Sequence, residues 1–284
     1  MSRNRENIFA RLERLKNEFA EAEKNSMTLP PPPMPSWGEG MSAIMNALAR
    51  SAAFSPIKRG CRSSLFREKI HALNGYEIVL TGEETDEADR DVYLNAIRLY
   101  SAITPGTPCR ASIRSFLNGI GRSYGKSNRE WLFQSLKRLA NLRLEIQFNL
   151  PAVRGFYAGS IFNILALEGE ENREGILSFS VPPDFIHFFM KDYTKIPMKR
   201  RLSLAGEGSQ MAKRIQTFVY THDAPYPMKL ETLQPLLGAG GTPASFRKSL
   251  ARALGLLKKS GDLEKWSIKE GVLRMIRPKS SLIR

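Results

Sequence analysis

At 284 residues with 42% hydrophobic side chains, the chain can bury a core and divide into two modest domains. Cys61, Cys109 and three scattered histidines offer neither a disulfide framework nor metal-ligand spacing, and no apolar run reaches membrane-spanning length. The charged N-terminus lacks the apolar block of a signal peptide, so a cytoplasmic protein is expected.

The formal charge of +15 is uneven. Residues 1–55 hold 7 basic and 6 acidic side chains, residues 56–181 hold 17 and 14, and residues 182–284 hold 19 and 8. The excess in the last third favours a polyanion, since phosphates release counterions when lysines and arginines neutralise them.

In chain order, Ile8, Leu12, Leu15 and Phe19 repeat at helical spacing and predict an N-terminal helical arm. Pro30 to Pro33 and Pro35 form a stiff spacer behind it. Met41 to Ala53 reads as a short amphipathic piece, and Lys58, Arg59 and Arg62 as a basic connector. Tyr76 to Leu80 is strand-like. The acidic run Glu83 to Asp91 opens a helix ending near Ile103, an arrangement the helix dipole favours without any metal.

Ile113 to Ile120 and a turn at Gly121 to Lys126 lead to a helix capped by Ser127 and ending at Asn141. Leu132, Leu136 and Leu139 form its buried stripe, leaving Glu130, Gln134, Lys137, Arg138 and Asn141 outside. Strands are expected at Arg143 to Phe148, Tyr157 to Leu167 and Ile176 to Val181. Pro182 to Lys191 reads as a helix, Tyr193 to Met198 as a strand, Lys199-Arg200-Arg201 as a basic knot and Ser209 to Tyr220 as an amphipathic helix.

Glu231 to Leu237 is helix-like and a glycine-rich turn, Gly238 to Gly241, follows it. Thr242 caps the next helix and Pro243 suits its first position. Phe246, Leu250, Ala253, Leu254 and Leu257 make its apolar face, against a basic face of Arg247, Lys248, Arg252, Lys258 and Lys259. Leu263 to Ile268 and Val272 to Ile276 read as a hairpin turning at Glu270-Gly271.

Helix, turn, polar-faced helix and sheet thus occur twice. The expected fold is α+β: two tandem winged-helix (helix-turn-helix) domains at 56–181 and 182–284, with a flexible arm and proline-rich linker at 1–55. Two such modules about one DNA turn apart would match two segments of one site. Expected DNA contacts are Asn128, Gln134, Lys137 and Arg138 from the first module. From the second they are Lys199, Arg200, Arg201, Ser245, Arg247, Lys248 and Arg252.

Catalysis is not expected. Gly206 to Arg214 fails the phosphate-loop spacing, and Gly238 to Gly241 lacks the strand and acidic follower of a dinucleotide site. Tyr124 and Tyr193 could nick DNA only beside a histidine-held metal, which the scattered histidines do not supply.

Several ordered segments resemble the TrfA family of plasmid replication initiators: Asp223 to Thr232 (DAPYPMKLET), Ala49 to Phe54 (ARSAAF), Thr81-Gly82 before the acidic helix, Asp192 to Lys195, and Ser260 to Glu264. The resemblance, from about Asn46 to Ile276, implies two winged-helix domains that bind direct repeats (iterons) in double-stranded origin DNA. It further implies opening of adjacent AT-rich DNA, recruitment of the host replicative helicase and of DnaA, DNA-active monomers in equilibrium with inactive dimers, and no nucleotide cofactor. The family's sliding-clamp motif, of the Gln-Leu-x-Leu-Phe kind, has no counterpart in Ser26 to Pro31, which lacks the Gln and the Phe. A winged-helix transcriptional repressor is the alternative built on the same modules.

Overall fold

The computed structural model describes residues 32–57, 60–73, 75–150, 153–168 and 175–278. The arm helix around Ile8 to Phe19, the Ser26 to Pro31 stretch, and Lys58 and Arg59 lie outside the described residues.

β1 (Met41–Met45) runs directly into the single helical turn α1 (Asn46–Ala49). The short amphipathic piece expected over Met41 to Ala53 is thus a strand followed by one helical turn. Ser42 to Met45 are all buried, and the strand is held by antiparallel pairing with β11 (Tyr193–Pro197), Met41 opposite Pro197. β2 (Phe54–Ser55) pairs in parallel with β5 (Thr85–Asp86). β3 (Ser64–Ile70), β4 (Tyr76–Glu83), β7 (Arg143–Leu150) and β8 (Val153–Ser160) form a four-stranded antiparallel sheet in the order β3-β4-β7-β8. β3 begins just past the basic connector of Lys58, Arg59 and Arg62, in a stretch to which the sequence reading assigned no element.

α2 (Glu87–Tyr100) is fixed at its start by a reciprocal cap. The Asp86 carboxylate accepts from the Ala88 and Asp89 amides, and Asp89 accepts from the Asp86 amide. β6 (Cys109–Ser112), β10 (Ile176–Ser180) and β9 (Asn163–Glu168) make a second antiparallel sheet in the order β6-β10-β9. The expected single strand over 157–167 is therefore two, β8 and β9, separated at the buried pair Ile161-Phe162. α3 (Ile113–Gly119) precedes α4 (Lys126–Asn141), which starts one residue before Ser127 with Gly125 as its cap.

The helix expected over 182–191 is two short turns, α5 (Pro183–Ile186) and α6 (Phe188–Lys191). α7 (Met198–Ser203) and α8 (Ser209–Tyr220) follow β11. Next come β12 (Met228–Lys229), α9 (Leu230–Leu236) and α10 (Pro243–Lys259). The chain then forms the hairpin β13 (Lys265–Lys269) and β14 (Val272–Ile276). Glu270 and Gly271 both take positive φ, 49° and 73°, as a two-residue turn of this hand requires. β14 lies between β12 and β13.

Two hydrophobic clusters organise this α+β fold. One joins Met34 through Met198 with Tyr220, and the other joins Leu204 through Met275. The order long helix, short strand, short helix, long helix, hairpin occurs in each: α2-β6-α3-α4-β7/β8 and α8-β12-α9-α10-β13/β14. The short helices α3 and α9 have 7 residues each, and α4 and α10 have 16 and 17.

Candidate nucleic-acid interface

Five apolar side chains fix the rotation of α10. Phe246, Leu250, Ala253, Leu254 and Leu257 are buried in the second cluster, the larger ones contributing about 1.5–3 kcal/mol each. At about 3.6 residues per turn, the line directly opposite holds Ala244, Ser245, Lys248, Ala251, Arg252, Gly255 and Lys259. Lys248, Arg252 and Lys259 are exposed on it. Between them stand alanine and glycine, and a Cβ added to Gly255 would meet nothing within 4 Å. Cations separated by small residues let a helix approach a groove closely without losing its charge.

Arg247 is exposed but stands nearer the flank than Lys248. Ser245 is exposed, with its hydroxyl donating to the Thr242 carbonyl at 2.8 Å and its amide to the Thr242 hydroxyl at 3.3 Å, the expected N-cap. Arg252 is exposed and paired with Glu207.

The hairpin adds basic residues that sequence reasoning did not single out. Leu273 and Met275 are buried and Trp266 and Ile268 pack on the core, so alternation turns Lys265, Lys269 and Arg274 to solvent. The period-two pattern was the available signal. Lys229, beside β14, is exposed as well.

In the first half, α4 turns Gln134 and Lys137 to solvent between Glu130 and Asn141. Asn128 is half-buried and engaged: Arg122 donates to its Oδ1 at 3.2 Å and its amide donates to the Ser123 carbonyl at 2.9 Å. Arg138 departs from the expectation. Its Nη2 donates to the buried Asp89 carboxylate at 2.9 Å, and its side chain is only 11% exposed. Burial opposes its charge, but Asp89 more than offsets that and holds the pKa above its usual value. Arg138 is a structural ion-pair partner rather than a surface cation.

Arg201 is the larger correction. Lys199 of α7 is exposed and Arg200 half-buried, but Arg201 is wholly buried. Its Nε donates to Asp91 at 2.6 Å and its Nη2 to Glu87 at 2.7 Å. Burial works against the cation, and the two carboxylates reverse the effect and raise its pKa. Helical rotation separates three consecutive basic residues into one outside, one between and one inside. Arg201 cannot reach DNA.

The carboxylates of α2 are accordingly a receptor for cations from several elements. Arg62 bonds Asp86 and Asp89, Arg138 bonds Asp89, Arg90 pairs with Glu87, and Lys213 of α8 bonds Asp91. Arg214, also of α8, spans the clusters by donating to the carbonyls of Ala49, Ser51 and Leu236. Burial, with Arg201 nearby, lowers its pKa to about 10 despite Glu87.

Near the start of α4, cations stack on aromatic rings. Arg122 lies 3.6 Å over Trp131, and Arg114 and Arg129 lie 4.3 Å and 5.2 Å from the Tyr124 ring. A cleft of about 650 Å³ beside them is lined by Arg122, Asn128, Trp131 and Gln210. Burial lowers the Arg122 pKa, with Asp91 and Asp86 opposing. Among the described residues, no three His, Cys, Asp or Glu side chains converge as a metal site, and no helix is long and apolar enough to cross a membrane.

The family model described as TrfA protein matches residues 19–277. The chain belongs to the TrfA family. A curated relative, the plasmid replication initiator protein TrfA of Escherichia coli, is 23% identical over 260 residues, covering 90% of this chain. The chain spans 65% of the length of that relative. In fold, this TrfA-family chain is similar to a crystal structure of domains 2 and 3 of RctB, with a TM-score of 0.55 at 12% identity over 81% of this chain and 96% of that one. A second crystal structure of RctB domains 2–3, residues 155–483, gives a TM-score of 0.50 at 13% identity over 81% and 97%.

Proposed function

We propose that this chain initiates plasmid replication by binding repeated double-stranded sites, iterons, at its own origin. The observation that carries the reading is the outward line of α10, where exposed cations alternate with small residues on a helix from a TrfA-family chain. In this reading each helix-turn-helix and its hairpin is a winged helix. α10 and α4 are the two groove-reading helices, and Lys265, Lys269 and Arg274 of the second hairpin contact backbone phosphates. The chain acts in the cytoplasm by binding, without catalysis or cofactor. It opens adjacent DNA and passes it to the host helicase with DnaA, and its active form is the monomer.

Footprinting on the DNA of its own replicon, combined with permanganate probing of unpaired thymines, tests the proposal. Protection of repeated segments with permanganate-reactive thymines beside them supports initiation. Protection without melting shifts the assignment to a winged-helix repressor.

A further inference from the structure

Glu207 lies in the turn between α7 and α8, and its carboxylate accepts a hydrogen bond from Nη1 of Arg252, 45 residues later on α10. Glu207 is 78% exposed, so the pair adds little to stability. Its geometry matters more. Gly208, next to Glu207, has a left-handed φ of +87°, and a Cβ there would stand 3.2 Å from both Cγ and Cδ of Arg252. The turn therefore meets this arginine at two points: Gly208 leaves room for its stem, and Glu207 binds its head.

A guanidinium presents two flat donor edges. With Nη1 given to Glu207, the Nε and Nη2 edge stays open, and no described residue bonds either nitrogen. That edge matches the paired acceptors O6 and N7 of guanine. Lys248 lies one turn earlier on the same line without an ion-pair partner among the described residues, and as a rotatable point charge it suits a phosphate. Ala251 and Gly255 flank Arg252 and leave room for a base edge.

We propose that Arg252 is the base-reading side chain of α10 and that Glu207 is its positioning residue, directing the open edge of the guanidinium and withholding it from general phosphate contact. This rests on the DNA-binding reading above. A carboxylate facing DNA also repels phosphates, so any register that does not engage Arg252 is disfavoured.

The test selects bound sequences from randomised duplexes with the full-length chain, then compares wild type, Glu207→Gln and Arg252→Lys on the selected duplex and on a scrambled one. Glu207→Gln is expected to tighten binding to the scrambled duplex by about threefold or more, with a salt dependence steeper by roughly one released counterion. It should also lose about tenfold in preference for guanine at one position of the selected site. Arg252→Lys should lose the preference at that same position without gaining affinity for the scrambled duplex. A merely structural pair would move thermal stability and leave the salt slope and base preference unchanged, which overturns the assignment. So does loss of preference at different positions in the two variants. A wild type that selects no sequence removes the DNA-binding reading itself, whereas a clear selection that Glu207→Gln leaves intact overturns only the role of Glu207.

Discussion

Arg201, wholly buried, and Asp91, nearly so, meet at 2.6 Å, although Arg201 belongs to a run of three basic residues that looks superficial in sequence. Removing one partner of a buried pair leaves the other charge stranded. Arg201→Ala is therefore expected to destabilise the protein by about 3–5 kcal/mol in urea unfolding. Lys199→Ala, two residues away, should change stability by no more than about 0.5 kcal/mol. On DNA it should reduce the salt slope by about one unit. Equal stability losses for the two variants would contradict their placement.

Gly255 occupies the outward line of α10 with open space over its Cα. Gly255→Ala should stabilise the isolated protein by up to about 1 kcal/mol, since glycine is a poor helix former. Gly255→Glu should fold as well as wild type yet bind DNA at least tenfold more weakly, because it puts bulk and negative charge where the groove must come close. Undiminished binding by a folded Gly255→Glu would take this face of α10 out of the interface.

Arg138 and Asp89 are expected to behave as one unit. Arg138→Ala should cost roughly 1.5–3 kcal/mol, the range for hydrogen bonds to charged groups. A double-mutant cycle with Asp89→Asn should show coupling well above 0.5 kcal/mol. If Arg138→Ala leaves stability intact and lowers DNA affinity alone, the side chain serves the interface after all.

The two thiols differ in burial. Cys61 is exposed, whereas Cys109 is buried and desolvation pushes its thiol up to about 11. Native protein should take up one equivalent of a maleimide quickly at neutral pH, and peptide mapping should place it on Cys61. The second equivalent should appear only on unfolding. Rapid labelling of Cys109 in native protein would contradict its burial in the first cluster.

His222 supplies a pH dependence. Its Nδ1 lies 2.7 Å from the Thr221 hydroxyl, with the rings of Phe218 and Tyr226 against it. Burial lowers its pKa below the ordinary 6.5, the Phe218 carbonyl opposes, and Arg50 and Arg277 reinforce the shift. The folded state thus favours the neutral ring, and the unfolded chain takes up the proton first. Stability from this residue is complete above about pH 6.5 and declines as pH falls towards the folded pKa. The unfolding free energy measured from about pH 7.5 to 5 should fall more steeply for wild type than for His222→Gln. Parallel curves would assign the slope to other groups.

The parts of the site that were legible in sequence are those governed by local periodicity. The stripe Phe246 to Leu257 repeats at helical spacing within 12 residues, so both its buried side and its outward side follow from position alone. Glu270-Gly271 could be read as a turn from its glycine in the same way. Arg138 and Arg201 could not be placed, because the carboxylates that capture them are 49 and 110 residues distant. Met41–Met45 is rich in helix-forming residues, yet tertiary pairing overrides that preference. β3 was hidden by its composition: an edge strand with exposed Arg67, Glu68 and Lys69, and a register shift between Leu65 and Glu68, shows no clean alternation of apolar and polar residues.

The pairing of β1 with β11 also bears on how the chain is made. Ala43, Ile44 and Met45 are wholly buried, yet their partner strand ends at Pro197. During synthesis from the N-terminus those apolar residues have no strand to pair with until some 150 further residues have been added. The long loop closure carries an entropic cost of its own and comes late. A nascent chain halted before Tyr193 would leave β1 without its partner strand, so the first cluster cannot be completed until translation has moved into the basic last third of the protein.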